Sequence, residues 1–256
     1  MRRYRSLAVL ALALVALALA GPLAAASDES SKTPAQILAD VQRDLAKVRS
    51  YHFSGYEVDG RTTTRLAGDV SASGRADVTI RERGGSVRVI LLPSAMYLKA
   101  NAAFWKANGG KNGRKLADKL AGRWLKTDEA GLKALIDDLM PKRVASCVSV
   151  GTGTLKKGGL GSVGGKRVVV VVDQGDKPGT TPGRLYVTTT GPILPLRLRQ
   201  TGKRRPGGHI DRRCQDPDDT STSSDVRLSG FDEPLHITAP RGALTIPDDG
   251  GGPTPA

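Results

Sequence analysis

The sequence predicts an α+β fold in which one large antiparallel β-sheet carries helices gathered on one side. Three observations predict it. The hydrophobic period runs first at three to four residues, then at two through several short segments, then helical again, then at two once more. The 31 glycines and 15 prolines punctuate a chain rich in Thr and Val, the pattern of short strands joined by turns. Aromatic residues make up only 4% of the chain against 39% hydrophobic, so Val, Leu, Ile and Ala must fill its core.

Element by element, residues 27–32 form a polar leader, after which Thr33 and Pro34 supply a helix cap and a first helical position. Ile37, Leu38, Val41, Leu45 and Val48 recur on one face of that helix while Asp40, Arg43, Asp44 and Lys47 fall elsewhere, so it must dock on something. From Tyr51 the period becomes two, with Tyr51 and Phe53 opposite His52, Ser54, Tyr56 and Val58. Strands are expected over 62–73, 76–82, 86–92 and 96–100, with Gly84-Gly85 and Pro93-Ser94 as turns. The helical insertion follows over 102–107, 115–121 and 128–140, the last with Leu132, Leu135, Ile136 and Leu139 on one face and stopped by Pro141. A further turn through Val144 carries Cys147.

Strands resume over 152–156, 166–173, 184–189, 194–200 and 224–229, closed by 235–238. The run Val168 to Val172 is apolar on both faces, which requires cover on both sides, whereas Leu194, Leu196 and Leu198 alternate with Arg197 and Arg199 so that one face meets water. One domain over 33–247 accounts for all of this. A disordered Gly/Pro tail is expected over 248–256.

Residues 1–26 read as a secretory signal: Arg2, Arg3 and Arg5 precede an apolar run from Leu7 to Ala20, and Ala24-Ala25-Ala26 before Ser27 is a cleavage pattern. Roughly 14 apolar residues fall short of the ~20 a membrane-crossing helix needs, so the mature chain is expected to be exported. In that oxidising compartment Cys147 and Cys214 are expected to form a disulfide, the alternative being two unpaired thiols. The formal charge of +14, or +11 without the three leader arginines, suits anionic lipid headgroups, acidic wall polymers or nucleic acid without choosing among them.

Motifs for chemistry are weak. Gly159-Leu160-Gly161-Ser162-Val163-Gly164 matches a dinucleotide-binding fingerprint, but a valine strand rather than a helix follows it, so it reads as a flexible glycine hairpin. Ser162 lacks the first glycine of a nucleophile elbow. His52, His209 and His236 lack the spacing of a zinc site, and Asp216, Asp218 and Asp219 lack the glycine and distal glutamate of a calcium loop. No cofactor or metal is called for. Basic clusters at Lys111, Arg114, Lys115 and Lys119, and from Arg197 to Arg213, carry no interleaved aromatics, which argues against nucleic acid.

Several stretches together resemble the LppX/LprAFG family of actinobacterial envelope lipoproteins, which is similar in fold to the LolA and LolB lipoprotein carriers. They are Ser50-Tyr51-His52-Phe53-Ser54-Gly55, Met96-Tyr97-Leu98-Lys99 leading to Phe104-Trp105, and Gly122-Arg123-Trp124-Leu125-Lys126. Gly153-Thr154-Leu155, Gly164 to Val169, Gly191 to Leu196, Ser229-Gly230-Phe231-Asp232 and Ile237-Thr238-Ala239-Pro240 follow in the family's order. The resemblance implies a curved half-barrel sheet with helices on its concave face and an apolar cavity between them that takes acyl chains. It implies a non-enzymatic, monomeric carrier or presenter of a lipid or lipidated glycoconjugate in the envelope.

The family motifs transfer no ligand contact. By pattern, the cavity-facing candidates are Val89, Leu91, Leu135, Ile136, Leu139, Val169 and Val171. The chain departs from the lipoproteins at Pro22, where the acceptor cysteine is expected, so the mature protein is expected to be free of a lipid anchor. The competing expectation is a scaffold or adhesive module with a filled core whose basic face binds an acidic wall polymer.

Overall fold

The structure, a computed structural model, describes residues 28–127, 130–245 and 254–255. The expected signal over 1–26 and most of the expected tail lie outside the described residues. Among the described residues, no helix is long and apolar enough to cross a membrane.

The first helix, α1 (Pro34–Leu45), begins where its cap predicts: Gln36 N donates to Thr33 Oγ1 at 3.3 Å and Thr33 N donates back to Gln36 Oε1 at 2.9 Å. The leader before it is docked, because Glu29 N donates to Thr189 O at 3.1 Å and the Glu29 side chain is fully buried. Burial pushes the Glu29 carboxyl above its ordinary value, against the opposing pull of Lys32 at 2.6 Å.

Five strands follow as a meander: β1 (Ser50–Asp59), β2 (Thr62–Ser71), β3 (Arg75–Glu82), β4 (Gly85–Leu92) and β5 (Ala95–Ala100). The insertion holds α2 (Ala102–Asn108), α3 (Gly113–Leu120), β6 (Trp124–Thr127), α4 (Ala130–Asp138) and α5 (Pro141–Cys147). Pro141 therefore opens a new helix as well as closing the previous one, at the first helical position where its missing N–H costs nothing. The second run is β7 (Leu155–Val163), β8 (Lys166–Asp173), β9 (Gly183–Thr188), β10 (Pro195–Gln200) and β11 (Ser223–Ser229), and the short β12 (Leu244–Thr245) and β13 (Thr254–Pro255) complete the set.

All join one open sheet in the order β13-β12-β6-β5-β4-β3-β2-β1-β11-β10-β9-β8-β7. Among the described strands, only β12 against β6 is parallel. The pairing of β1 with β11 fuses the two meanders into a single half-barrel, and the helices pack on its inner face, as the α+β expectation requires.

Two local expectations are corrected, and one strand is added. The strand expected over 152–156 is instead β7, running through the glycine segment to a hairpin at Gly164-Gly165. Gly158 and Gly159 form a bulge there: Gly159 takes φ +88°, and a Cβ on Gly158 would stand 2.7 Å from Val172 Cγ2. Beside it, Val168 to Val171 of β8 are buried on both faces of the strand, as the sequence requires. Residues 235–238 make no ladder, because Pro234 and Pro240 flank a segment whose Ile237 O accepts from Arg75 Nη1 at 3.0 Å. β6 had no sequence signal, since four residues with one buried position, Leu125, are too short to show a period.

Two cores fill the inner face. The larger joins β1 to β6 with α2 to α5 and contains Tyr51, Phe53, Val78, Val89, Leu91, Leu98, Leu125 and Ile136. Tyr51 donates its hydroxyl to Leu139 O, and burial raises its phenol above the ordinary value. The smaller core sets Ile37, Leu38 and Val41 of α1 against Val169, Val171, Val187 and Ile193.

Candidate functional site

Between the two cores the packing leaves a cavity of about 680 Å³. Its apolar wall comes from Leu38 of α1, Val144 of α5 and Val148 just beyond it, and Leu155, Val171, Leu185 and Leu198 of the sheet. The physical reason for the gap is local. α5 is only two turns long, the segment between β10 and β11 is polar and rich in Gly and Pro, and short valine side chains at 144, 148 and 171 do not span the space that rings would fill.

The disulfide sits in this wall. Cys147 at the end of α5 is bonded to Cys214 in the segment between β10 and β11, and both line the cavity. The expected pairing is thus present, joining a helix to a loop that otherwise has no regular structure.

The rim is charged. Asp138 accepts from Arg143 Nε at 3.0 Å, and Asp211 accepts from Arg213 Nη2 at 2.9 Å. These hydrogen bonds from Arg213 hold the Asp211 carboxyl down to about 2. Asp173 is spent on the backbone, accepting from Gly153 N at 3.0 Å and Gly175 N at 2.7 Å, so it clamps two loops rather than facing a ligand. Arg199 lies 3.4 Å from Asp225. Among the described residues, Arg212 on the rim has no carboxylate within 4.0 Å.

Of the pattern-derived candidates, Val171 lines this cavity. Val89, Leu91 and Ile136 are enclosed in the larger core, Leu139 packs half-buried against it, and Val169 is enclosed in the smaller core. Leu135 lies on α4, and its side chain is outside the described residues. Sequence reasoning missed Leu38, Val144, Val148, Leu185 and Leu198. Val144 on the helix that carries Cys147 and Val148 at its C-terminal cap, four residues apart, were the available signal.

The remaining motifs are dispersed. The fingerprint glycines belong to β7 and its hairpin, with no helix behind them. His52 Nδ1 lies 3.1 Å from Asp69 on the outer face, while His209 and His236 are exposed in loops. Asp216 and Asp219 accept from the backbone of Asp218 and Ser221 in a turn. Among the described residues, no group of three or more His, Cys, Asp or Glu side chains is placed to hold a metal ion.

No family model matches the sequence, and no curated protein does. Among solved structures, the chain is similar to LprF from Mycobacterium bovis, with a TM-score of 0.50 at 12% identity over 81% of this chain and 96% of that one. It is also similar to the lipoprotein LppX from Mycobacterium tuberculosis, with a TM-score of 0.48 at 14% identity over 80% of this chain and all of that one. At such identities the likeness is one of fold, and the LprF comparison establishes that fold.

Proposed function

We propose that this protein is a secreted, non-enzymatic lipid-binding protein that holds acyl chains in the cavity between β8–β10 and the helices α1 and α5, and carries or presents lipids in the cell envelope. The observation that carries this reading is the cavity itself: about 680 Å³, walled by aliphatic side chains and rimmed by charge. That volume lies within the roughly 300–1,000 Å³ common for small-molecule sites. Burying a chain there gains about 0.8 kcal/mol per methylene, enough for affinity with no reacting group. A wall polymer scaffold has no use for such a space.

The ligand in this reading is a lipid or a lipidated glycoconjugate, apolar part in the cavity and polar part at the rim. The protein acts as a monomer, released from the membrane by cleavage near Ala26-Ser27 and left unacylated because Pro22 offers no thiol. Native mass spectrometry of protein purified from its own host tests the reading. Co-purifying lipid, lost on extraction with organic solvent, is the expected result, and repeated lipid-free preparations would overturn it. The mass of the mature N-terminus tests the release: Ser27 without acylation is expected.

A further inference from the structure

The helices cover only the inner face of the sheet, and strand register shows what the other face carries. In β2, Leu66 and Val70 belong to the larger core, so Arg65 points the opposite way; the same alternation turns Arg81, Tyr56, Asp225, Arg199 and Arg184 outward. These residues stand in one transverse row. Arg81 lies opposite Arg65, Arg65 opposite Tyr56, and Tyr56 opposite Asp225. Beyond that, Arg199 pairs with Asp225 on one side and Arg184 on the other, and Val172 separates Arg184 from Lys156. From β7 to β3 the row crosses eight strands, roughly 35 Å at the usual spacing of ~4.8 Å.

A second row, two residues along, adds Arg227 opposite Arg197, and Arg88 opposite Lys99. Asp225 pairs with both Arg197 and Arg199, and Asp77 with Arg88, so two carboxylates offset two of these three cations. Arg65, Arg81, Arg184, Arg227, Lys99 and Lys156 are left exposed with no carboxylate within 4.0 Å among the described residues. Aromatic rings lie among these cations: Tyr56 is 38% exposed, Arg197 stacks 5.5 Å from the Tyr186 ring, and Arg88 and Lys99 stand 5.8 and 5.9 Å from the Trp124 ring.

We infer that this outer face docks on an anionic phospholipid bilayer. Charge complementarity calls for an anionic surface, and a further observation chooses a bilayer over a soluble polymer. Tyr and Trp interleaved with cations is the chemistry of the lipid headgroup zone, where amphipathic rings settle. The docking itself does not depend on what fills the cavity.

Flotation of the full chain with vesicles tests the inference. Vesicles of phosphatidylcholine mixed with phosphatidylglycerol are expected to recruit the protein at low salt and release it as salt is raised, and phosphatidylcholine alone is expected to recruit little. Each cation near the surface is worth roughly fivefold in partitioning, so combining Arg65→Gln, Arg184→Gln and Arg227→Gln should weaken recruitment about a hundredfold. Combining Lys111→Gln, Lys115→Gln and Lys119→Gln, which removes the same charge from the helical side, should leave recruitment within a few-fold. Equal weakening by both triple variants would overturn the inference, as would equal recruitment to neutral vesicles or retention on polyglutamate without recruitment to vesicles. Circular dichroism of both variants checks that the exposed substitutions leave the fold intact. Lipid co-purification from the host reads the carrier function separately, so the two readings fail independently.

Discussion

Cys147, the last residue of α5, is bonded to Cys214 across a sequence separation of 67, with their Cα atoms 5.2 Å apart. The bond joins two walls of the cavity that share no strand ladder. It closes the helix against the segment between β10 and β11, whose own order rests on turns and on Arg204 donating to Asp216 O at 2.6 Å and to Pro217 O at 2.7 Å.

Replacing both cysteines by alanine is expected to cost about 4 kcal/mol of unfolding free energy, the chain-entropy value for a loop of this length. Urea unfolding measures it. Because the walls part, the variant should also retain less lipid than the parent, and a variant of parental stability and parental lipid content would refute the structural role.

Cavity and core respond to different substitutions. Val148 is half-buried at the cavity wall, so Val148→Trp should fill the space and reduce co-purified lipid with little change in Tm. Ile136 is fully buried in the larger core, and Ile136→Ala should cost about 2–5 kcal/mol while leaving the bound lipid unchanged. Native mass spectrometry beside thermal unfolding separates them, and the reverse pattern would place the lipid elsewhere.

Asp225 accepts from Arg197 Nε at 2.8 Å, and this bond, opposed by burial and helped by Arg199 and Arg227, holds its carboxyl below the ordinary 3.8. A lowered carboxyl binds fewer protons folded than unfolded near that pH. Its stabilisation is therefore fully present above about pH 4 and is lost as pH falls through the folded value. Asp225→Asn should lower stability at neutral pH and flatten the acid limb of the stability profile, read as Tm against pH. A parallel, undiminished limb would argue against the pair.

Gly175 takes φ +57° in the turn after Asp173, and a Cβ there would stand 2.3 Å from Pro182 N. Gly175→Ala combines a left-handed penalty of roughly 1–2 kcal/mol with a backbone clash beside the cavity, so a drop in Tm is expected, larger than for Gly164→Ala, where nothing lies within 4 Å. Equal losses at the two positions would show that the turn yields.

Much of the fold was legible in the sequence because its signals are local. Thr33 and Gln36 announce the start of α1, and the period-two runs place β1 to β5 and β8 to β11 to within a few residues. Where local signals mislead, the cause is visible. Gly158 and Gly159 read as a loop because glycine has little strand preference, yet the lack of a Cβ is what lets β7 close over Val172. Residues 235–238 have strand composition but cross the strand ends, where proline on each side denies them a partner.

The candidate site was far less legible, since among the six pattern-derived residues whose side chains are described only Val171 lines the cavity. Val89 and Val171 are both strand valines whose side chains turn to the inner face, and they fall in different cores there. By itself the sequence determined which residues turn inward, that the filling would be aliphatic, and that two cysteines were available to staple it. The tertiary structure alone decided where the filling stops and how scattered cations line up across the outer face. A cavity is the space left after distant elements pack, and a transverse row exists only once register is set. Neither is encoded in any one segment.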